Sequence, residues 1–333
     1  MISTAVQYFG TVNNIRKHTW ATPYEIVNRS DKSDLLKFKK DSYKPTVVIV
    51  PPQAGHISSG VDLAKGRSLV ETFANDDRFG GVYAFDFHDC TYSQRNDTIG
   101  DTIDDMYAAI ETLHRKVILV GICAGGWQAA VFAALHPSKV EKLVTVAAPI
   151  DYEAEGGLNA FYQNLPIEFF QGMVDMGGGI MDGQLIVSGY KSMHFIDRYI
   201  KDGCDLYWKI KDGNDDGVQK QIDFIAWYDK GTSKMPGKYY MEVIDMFKHN
   251  KLVKGQMIVN RQAVNLTDIR CPVIVVTGSE DDVTGEGQAV GLREFVKDFT
   301  HYEIPGVGHF GSFSGAGSMK HWKERIFEGV ANA

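Results

Sequence analysis

Short, unbroken apolar runs punctuate the chain, with helical patterning between them. Thr46–Pro51, Gly81–Phe85, Val117–Val120, Leu143–Ala147, Pro272–Thr277 and His301–Ile304 each read as a strand. Continuous β-branched runs without polar alternation belong to strands buried on both faces, so a mostly parallel sheet is predicted. Helical patterns occupy Leu63–Asn75, Thr98–His114, Trp127–Leu135 and Glu286–Lys297, with a last one over Met319–Val330. Strand and helix in alternation predict βαβ units and an α/β fold. Two half-polar runs, Pro23–Val27 and Leu35–Phe38, predict an antiparallel hairpin leading into the sheet, which then holds about eight strands.

The alternation stops after Pro149 and resumes at Pro272. The stretch between is rich in Met, Phe, Tyr and Trp, with Phe161, Tyr162, Phe169, Phe170, Met173 and Met176 crowding its first part. Its later part is helical in pattern over Tyr190–Trp208, Val218–Trp227 and Lys238–His249. An insertion between core strands reads as a lid on the carboxyl edge of the sheet, where open α/β sheets bind ligands. The expected organisation is one core, 1–150 with 263–333, carrying a mainly helical cap over 151–262.

Composition narrows the function classes. The 333 residues are 44% hydrophobic and carry a formal charge of −7, an ordinary globular balance without the cationic surplus a nucleic-acid binder needs. No apolar run approaches the roughly 18 to 20 residues of a membrane span. Met1–Trp20 shows no charged start followed by an apolar stretch, so no secretory signal is read and a cytoplasmic location is expected. Cys90, Cys123, Cys204 and Cys271 are far apart and form no CxxC pair, which argues against a disulfide framework or a zinc cage.

Candidate chemistry centres on Gly121-Ile122-Cys123-Ala124-Gly125-Gly126, between a strand and a small-residue helix. A nucleophile elbow has this form: glycines two before and two after the nucleophile let strand and helix approach, and the helix dipole there favours a thiolate. The competing reading of Cys123 is a small buried hydrophobe. In α/β-hydrolases the partners follow in the order nucleophile, acid, His. The acid falls after Pro272–Thr277, at Asp281 or Asp282, with Asp281 favoured and its neighbour read as a helix cap. The base is His309, which follows the last strand among glycines. His18, His114, His136, His194, His249 and His321 read as surface or core residues. An oxyanion hole needs two backbone N–H groups: Ala124 supplies one, and Gln53 or Ala54 the other, since Pro52 has none. His56 in that loop reads equally as a substrate contact or as a loop-fixing hydrogen bond. Asp212, Asn214, Asp216 and Asp223 match much of a calcium loop, but Gln219 and the final Asp depart from it, so a solvated turn is read instead. No metal and no cofactor are expected.

These segments resemble the polyhydroxyalkanoate synthases and the intracellular poly(3-hydroxybutyrate) depolymerases, two branches of the α/β-hydrolase fold with a cysteine nucleophile. Gly121–Gly126 is similar to the synthase box G-x-C-x-G-G. Asp281–Gln288 and Gly306–Gly315 look like the depolymerase segments around the acid and the base, and the Tyr190 and Met235–Met241 segments are family-like as well. The resemblance implies a substrate of polyester, oligoester or hydroxyacyl thioester type, with a polymer granule surface as the place of work. Hydrolysis of hydroxyalkanoate esters through a Cys123 thioester is the first reading. Acyl transfer from hydroxyacyl-CoA is the alternative, and a silent granule-surface protein is a third, set against three competent triad positions.

Overall fold

The computed structural model describes residues 3–154, 159–193 and 195–332, without the side chains of 159–161. The expectations on Phe161 and His194 therefore lie outside the described side chains and residues. Eight strands form one sheet: β1 (Glu25–Arg29), β2 (Ser33–Lys39), β3 (Val47–Val50), β4 (Val82–Phe87), β5 (Val117–Ile122), β6 (Val140–Val146), β7 (Val273–Gly278) and β8 (Phe299–Ile304). Their spatial order is β1-β2-β4-β3-β5-β6-β7-β8. Pairing is antiparallel for β1–β2 and β2–β4 and parallel from β4 onward, so the sequence-predicted hairpin lies at one edge.

Why these runs become central strands is visible in their two-residue period. Val48 and Val50 of β3 pack into a core on one face, with Leu119, Val117, Leu143 and Val275. Val47 and Ile49 pack into the core on the other face, with Ile118, Val120, Val144 and Val276. Both faces are covered, so polar alternation has no place in these strands. The helix Ile99–Glu111 begins at a capping box, in which the Thr98 side chain accepts from Asp101 N–H and Asp101 reaches back to the Thr98 backbone. The helix Ala124–Leu135 is buried over nearly its whole length, which its Ala and Gly content permits.

Between β6 and β7 the described chain is mainly helical: Ile167–Met176, Gly183–Met193, Asp202–Lys211, Asp215–Tyr228 and Gly237–His249. Two short antiparallel pairs accompany these helices: Ile180–Met181 with Met235–Pro236 joins distant points of the insertion, and Ile258–Val259 with Gln262–Ala263 is a local hairpin at its end. The Asp212–Asp223 stretch is the interhelix turn and the helix that follows it, with Asn214 accepting from Gly217 N–H as the cap. Its carboxylates have local partners: Asp216 pairs with Lys220 and Asp223 with Arg67.

Two expected helices differ. Leu63–Asn75 holds a tight hairpin, Asp62–Ala64 with Arg67–Ser68, turning at Gly66 with φ +73°; only Leu69–Ala74 is helical, capped by Ser68. Glu286–Lys297 is α-helical only to Ala289, where the Gln288 carbonyl accepts from the N–H groups of Ile150 and Asp151, and it ends in a 3-10 turn over Val290–Leu292. The helix Thr4–Asn14 had no expectation attached. It lies against Asp202–Lys211, with Tyr8 edge-on to Tyr207.

Candidate active site

Cys123, Asp281 and His309 arrive at one point because their strands end level with one another. Ile122 of β5 is in register with Val146 of β6, and Gly278 of β7 with Ile304 of β8. Each residue sits in the loop just past a carboxyl end. Cys123 caps the following helix with φ 50° and ψ −120°, a positive φ that non-glycine residues adopt only under constraint. The glycines around it make the turn sterically possible. A Cβ on Gly121 would lie 2.4 Å from Gly125 O, one on Gly125 2.1 Å from Val50 O, and one on Gly126 2.2 Å from the Ala148 Cβ.

His309 is 4% exposed, and its Nδ1 lies 2.9 and 3.1 Å from the two Asp281 carboxylate oxygens. Asp281 Oδ1 also accepts from the backbone N–H groups of Val283 (2.9 Å) and Thr284 (2.8 Å), which pin the carboxylate. Of the adjacent acids it is Asp281 that meets the imidazole, while Asp282 is exposed and lines the cleft. The Cys123 thiol lies close enough to His309 to act on its titration. Burial alone would push the His309 pKa down. The charges of Cys123 and Asp281, with their hydrogen bonds, outweigh it and raise the pKa to about 10.

Ala124, Gln53 and Ala54 lie beside Cys123 on the lining of one cavity. The Gln53 side chain is held in place by accepting from Gln128 Nε2 (2.6 Å), which also donates to the Tyr239 hydroxyl (2.8 Å). His56 stacks on Trp227 at 4.7 Å, lies tilted against Tyr228 at 4.8 Å and borders the Cys123 cleft, with the Tyr228 backbone acting on its ring as a hydrogen-bond partner. Burial pushes its pKa down to about 4, against that hydrogen bond. His18 is away from this centre, bonded to Ser59 and the Leu63 carbonyl, and His249 lies beside Asp245.

Two clefts meet at Cys123. The inner one is walled by Tyr152, Tyr162, Tyr190, Tyr239, Val243 and Phe247, the outer by His309, Phe310, Trp227, Tyr228, Met193 and Arg198. Most of the inner wall and part of the outer one come from the insertion, which therefore lies over the carboxyl edge of the sheet. Sequence reasoning missed Tyr152 and Arg198. Tyr152 sits in a polar stretch after β6 and Arg198 in a run of apolar residues, and no spacing marks either as a cleft residue. Among the described residues, no three His, Cys, Asp or Glu side chains are grouped to hold a metal ion, and no helix is long and apolar enough to cross a membrane.

Strand order, elbow and register define an α/β-hydrolase fold. It is shared with the monoacylglycerol lipase of Paleococcus ferrophilus (TM-score 0.55, 20% identity, 89% of this chain and 97% of that one). An alpha/beta fold family hydrolase from Bacillus anthracis is also similar (TM-score 0.52, 12% identity, 93% and 98% covered). Within that fold, the chain belongs to the family described as PHB de-polymerase C-terminus, whose model matches residues 146–332. Among curated relatives it is 26% identical to the poly(3-hydroxyalkanoate) polymerase subunit PhaC of Synechocystis sp., over 88% of this chain and 80% of that protein. The subunit of the same description from Allochromatium vinosum is 24% identical, over 91% and 86%. The weight of these likenesses falls on the acyl-transfer reading that the sequence held as the alternative, rather than on hydrolysis.

Proposed function

We propose that the protein transfers hydroxyacyl groups from a thioester donor to a hydroxyl acceptor through an acyl-Cys123 intermediate, as in polyhydroxyalkanoate synthesis. The observation that carries this reading is the Cys123–His309–Asp281 constellation at the meeting point of two clefts, in a chain whose relatives along most of its length are named polymerases. In this reading the Cys123 thiolate attacks the donor carbonyl. The negative oxygen is received by the N–H of Ala124 and that of Gln53 or Ala54, none of which donates to another described residue. The donor C–S bond breaks, and the departing thiolate takes its proton from the His309 imidazolium. The acceptor hydroxyl then gives its proton to His309 and attacks the acyl-Cys123 carbonyl, an ester bond forms, and the Cys123 thiolate is released. Asp281 keeps Nδ1 as the donor nitrogen throughout.

The insertion acts in this proposal as a cap that holds water away from the thioester, since water in place of the acceptor turns the same cycle into hydrolysis. A polyester surface as the place of work is supported by an apolar row on the insertion. Phe195, Ile196, Tyr199 and Ile200 are all exposed, close to the cleft-lining Met193 and Arg198. Hydrolysis remains as the second reading because the matched family, described by depolymerisation, spans both Asp281 and His309. A paired assay on 3-hydroxybutyryl-CoA separates them. CoA release with oligoester accumulation supports transfer. CoA release matched by free 3-hydroxybutyrate supports hydrolysis, and no CoA release with ester cleavage of preformed oligomers does the same.

A further inference from the structure

The two clefts at Cys123 differ in chemistry. His309 lines the outer one, and a group leaving the acyl carbonyl takes its proton from His309, so leaving group and acceptor belong there. With the outer cleft given to those groups, the inner one, lined by Gln53 and Ala124, is left for the acyl chain on Cys123. That inner cleft is apolar apart from its amides, its phenols and the Thr284 hydroxyl, and three of the phenols are committed. Tyr239 is bonded to Gln128, and the hydroxyls of Tyr162 and Tyr190 face each other at 3.3 Å. The Tyr152 hydroxyl is different: it is buried and meets no protein partner, on a residue only 3% exposed. A buried hydroxyl without a partner is costly, and phenylalanine would fill the same space without that cost.

Tyr152 is also rigidly placed. It follows β6, the neighbour of the strand that carries Cys123. Its ring stacks on Phe247 at 3.8 Å, and its backbone N–H donates to Asn250 Oδ1 at 3.0 Å. Burial, with the nearby Tyr162, Cys123 and Tyr239, pushes its pKa well up, so it stays a protonated donor within electrostatic reach of the thiol. We propose that Tyr152 donates a hydrogen bond to the oxygen on the third carbon of an acyl group carried by Cys123, and so selects 3-oxygenated acyl chains over unsubstituted ones. This rests on the reading of Cys123 as the acyl carrier.

The test measures acylation in a single turnover, with 3-hydroxybutyryl and butyryl thioesters of N-acetylcysteamine and intact-mass detection. In each case the Cys123 Sγ–carbonyl bond forms, the donor C–S bond breaks, and N-acetylcysteamine leaves with the proton from His309. The native enzyme is expected to favour the 3-hydroxy donor, and Tyr152→Phe to lower the ratio of the two rates about tenfold, the scale of one buried hydrogen bond. A purely structural role would slow both donors alike, so an unchanged ratio overturns the proposal, as does a native enzyme without preference. If Cys123→Ala is acylated as readily as the native chain, or neither donor acylates the native chain, the carrier reading falls and this proposal with it. Should Tyr152→Phe fail to fold, the native protein supplies a second comparison. 3-Hydroxybutyrate must then protect Cys123 from iodoacetamide at lower concentration than butyrate does, and equal protection overturns the proposal.

Discussion

Cys123 differs from the other cysteines in what surrounds it, and that difference makes the site testable residue by residue. Burial pushes the thiols of Cys90 and Cys271 up to about 11, so both are protonated near neutrality and slow to alkylate. Mass mapping after brief iodoacetamide treatment at pH 7.5 should therefore find Cys123 modified well ahead of either. Cys123→Ala should abolish acyl transfer, whereas Cys90→Ser and Cys271→Ser keep it; loss of activity in all three would remove Cys123 from the proposed role. The acid is equally specific. Asp281→Asn removes the carboxylate that holds the His309 Nδ1 and is expected to lower turnover by about 10³- to 10⁴-fold, as a comparable change does in a serine protease. Asp282→Asn should cost less than about tenfold, because that side chain is exposed while its neighbour holds the ring. Reversed sensitivities would make Asp282 the working acid.

At the scale of the element, the strand–turn–helix around Cys123 depends on closeness that only glycine permits. A methyl group on Gly125 would stand 2.1 Å from a backbone carbonyl of β3, an atom that cannot swing aside like a flexible side chain. Gly125→Ala should lower unfolding free energy by about 3 kcal/mol or more, at or beyond the usual range for overpacking, as read from urea denaturation. Gly172→Ala, in the helix Ile167–Met176 with open space at its Cβ, is the control and should be neutral or slightly stabilising. Equal effects would show that the elbow is looser than its geometry indicates. Elements were also where sequence patterning was least complete. The apolar periodicity marked every parallel strand; the central ones are buried on both faces and carry few polar positions, whereas the edge strand β8 is only partly buried. It overextended the helices at Leu63–Asn75 and Glu286–Lys297, where the chain has a positive-φ turn at Gly66 and a carbonyl that accepts from Ile150 and Asp151, features that periodicity does not encode.

For the whole molecule, two buried imidazoles impose opposite pH dependences on stability. His309 titrates at about 10 in the folded chain against an ordinary value of about 6.5. Folding thus favours its protonated form, and this contribution is complete below about pH 6.5 and is lost as pH rises through about 10. His56 titrates at about 4, so its contribution is complete above about pH 6.5 and is lost as pH falls through about 4. Calorimetric Tm measured from pH 4 to 10 should fall on both sides of about 6.5 on account of these groups. Asp281→Asn should flatten the alkaline limb and His56→Gln the acid limb. An alkaline slope untouched by Asp281→Asn would show that His309 is not held protonated by its neighbours.

By itself the sequence determined the local chemistry: Gly121–Gly126 specified a thiol on a strained turn, the β-branched runs specified a doubly covered sheet, and the order Cys123, Asp281, His309 specified which loops had to meet. Each is a short-range or ordinal property, written in neighbours or in chain order. The tertiary structure decided what depends on distance. It decided that Asp281 rather than Asp282 faces the imidazole, because two backbone N–H groups turn its carboxylate inward. It decided that Tyr152, Tyr190 and Arg198 wall the clefts at Cys123, because the helices between β6 and β7 fold back over the carboxyl edge. And it decided that His56 is a stacked, neutral ring whose Nε2 meets no described partner, because Trp227 and Tyr228, far along the chain, close over it. Contacts between residues so remote in sequence leave no periodicity, spacing or composition behind, since they are set by how the insertion packs on the sheet and not by anything beside them in the chain.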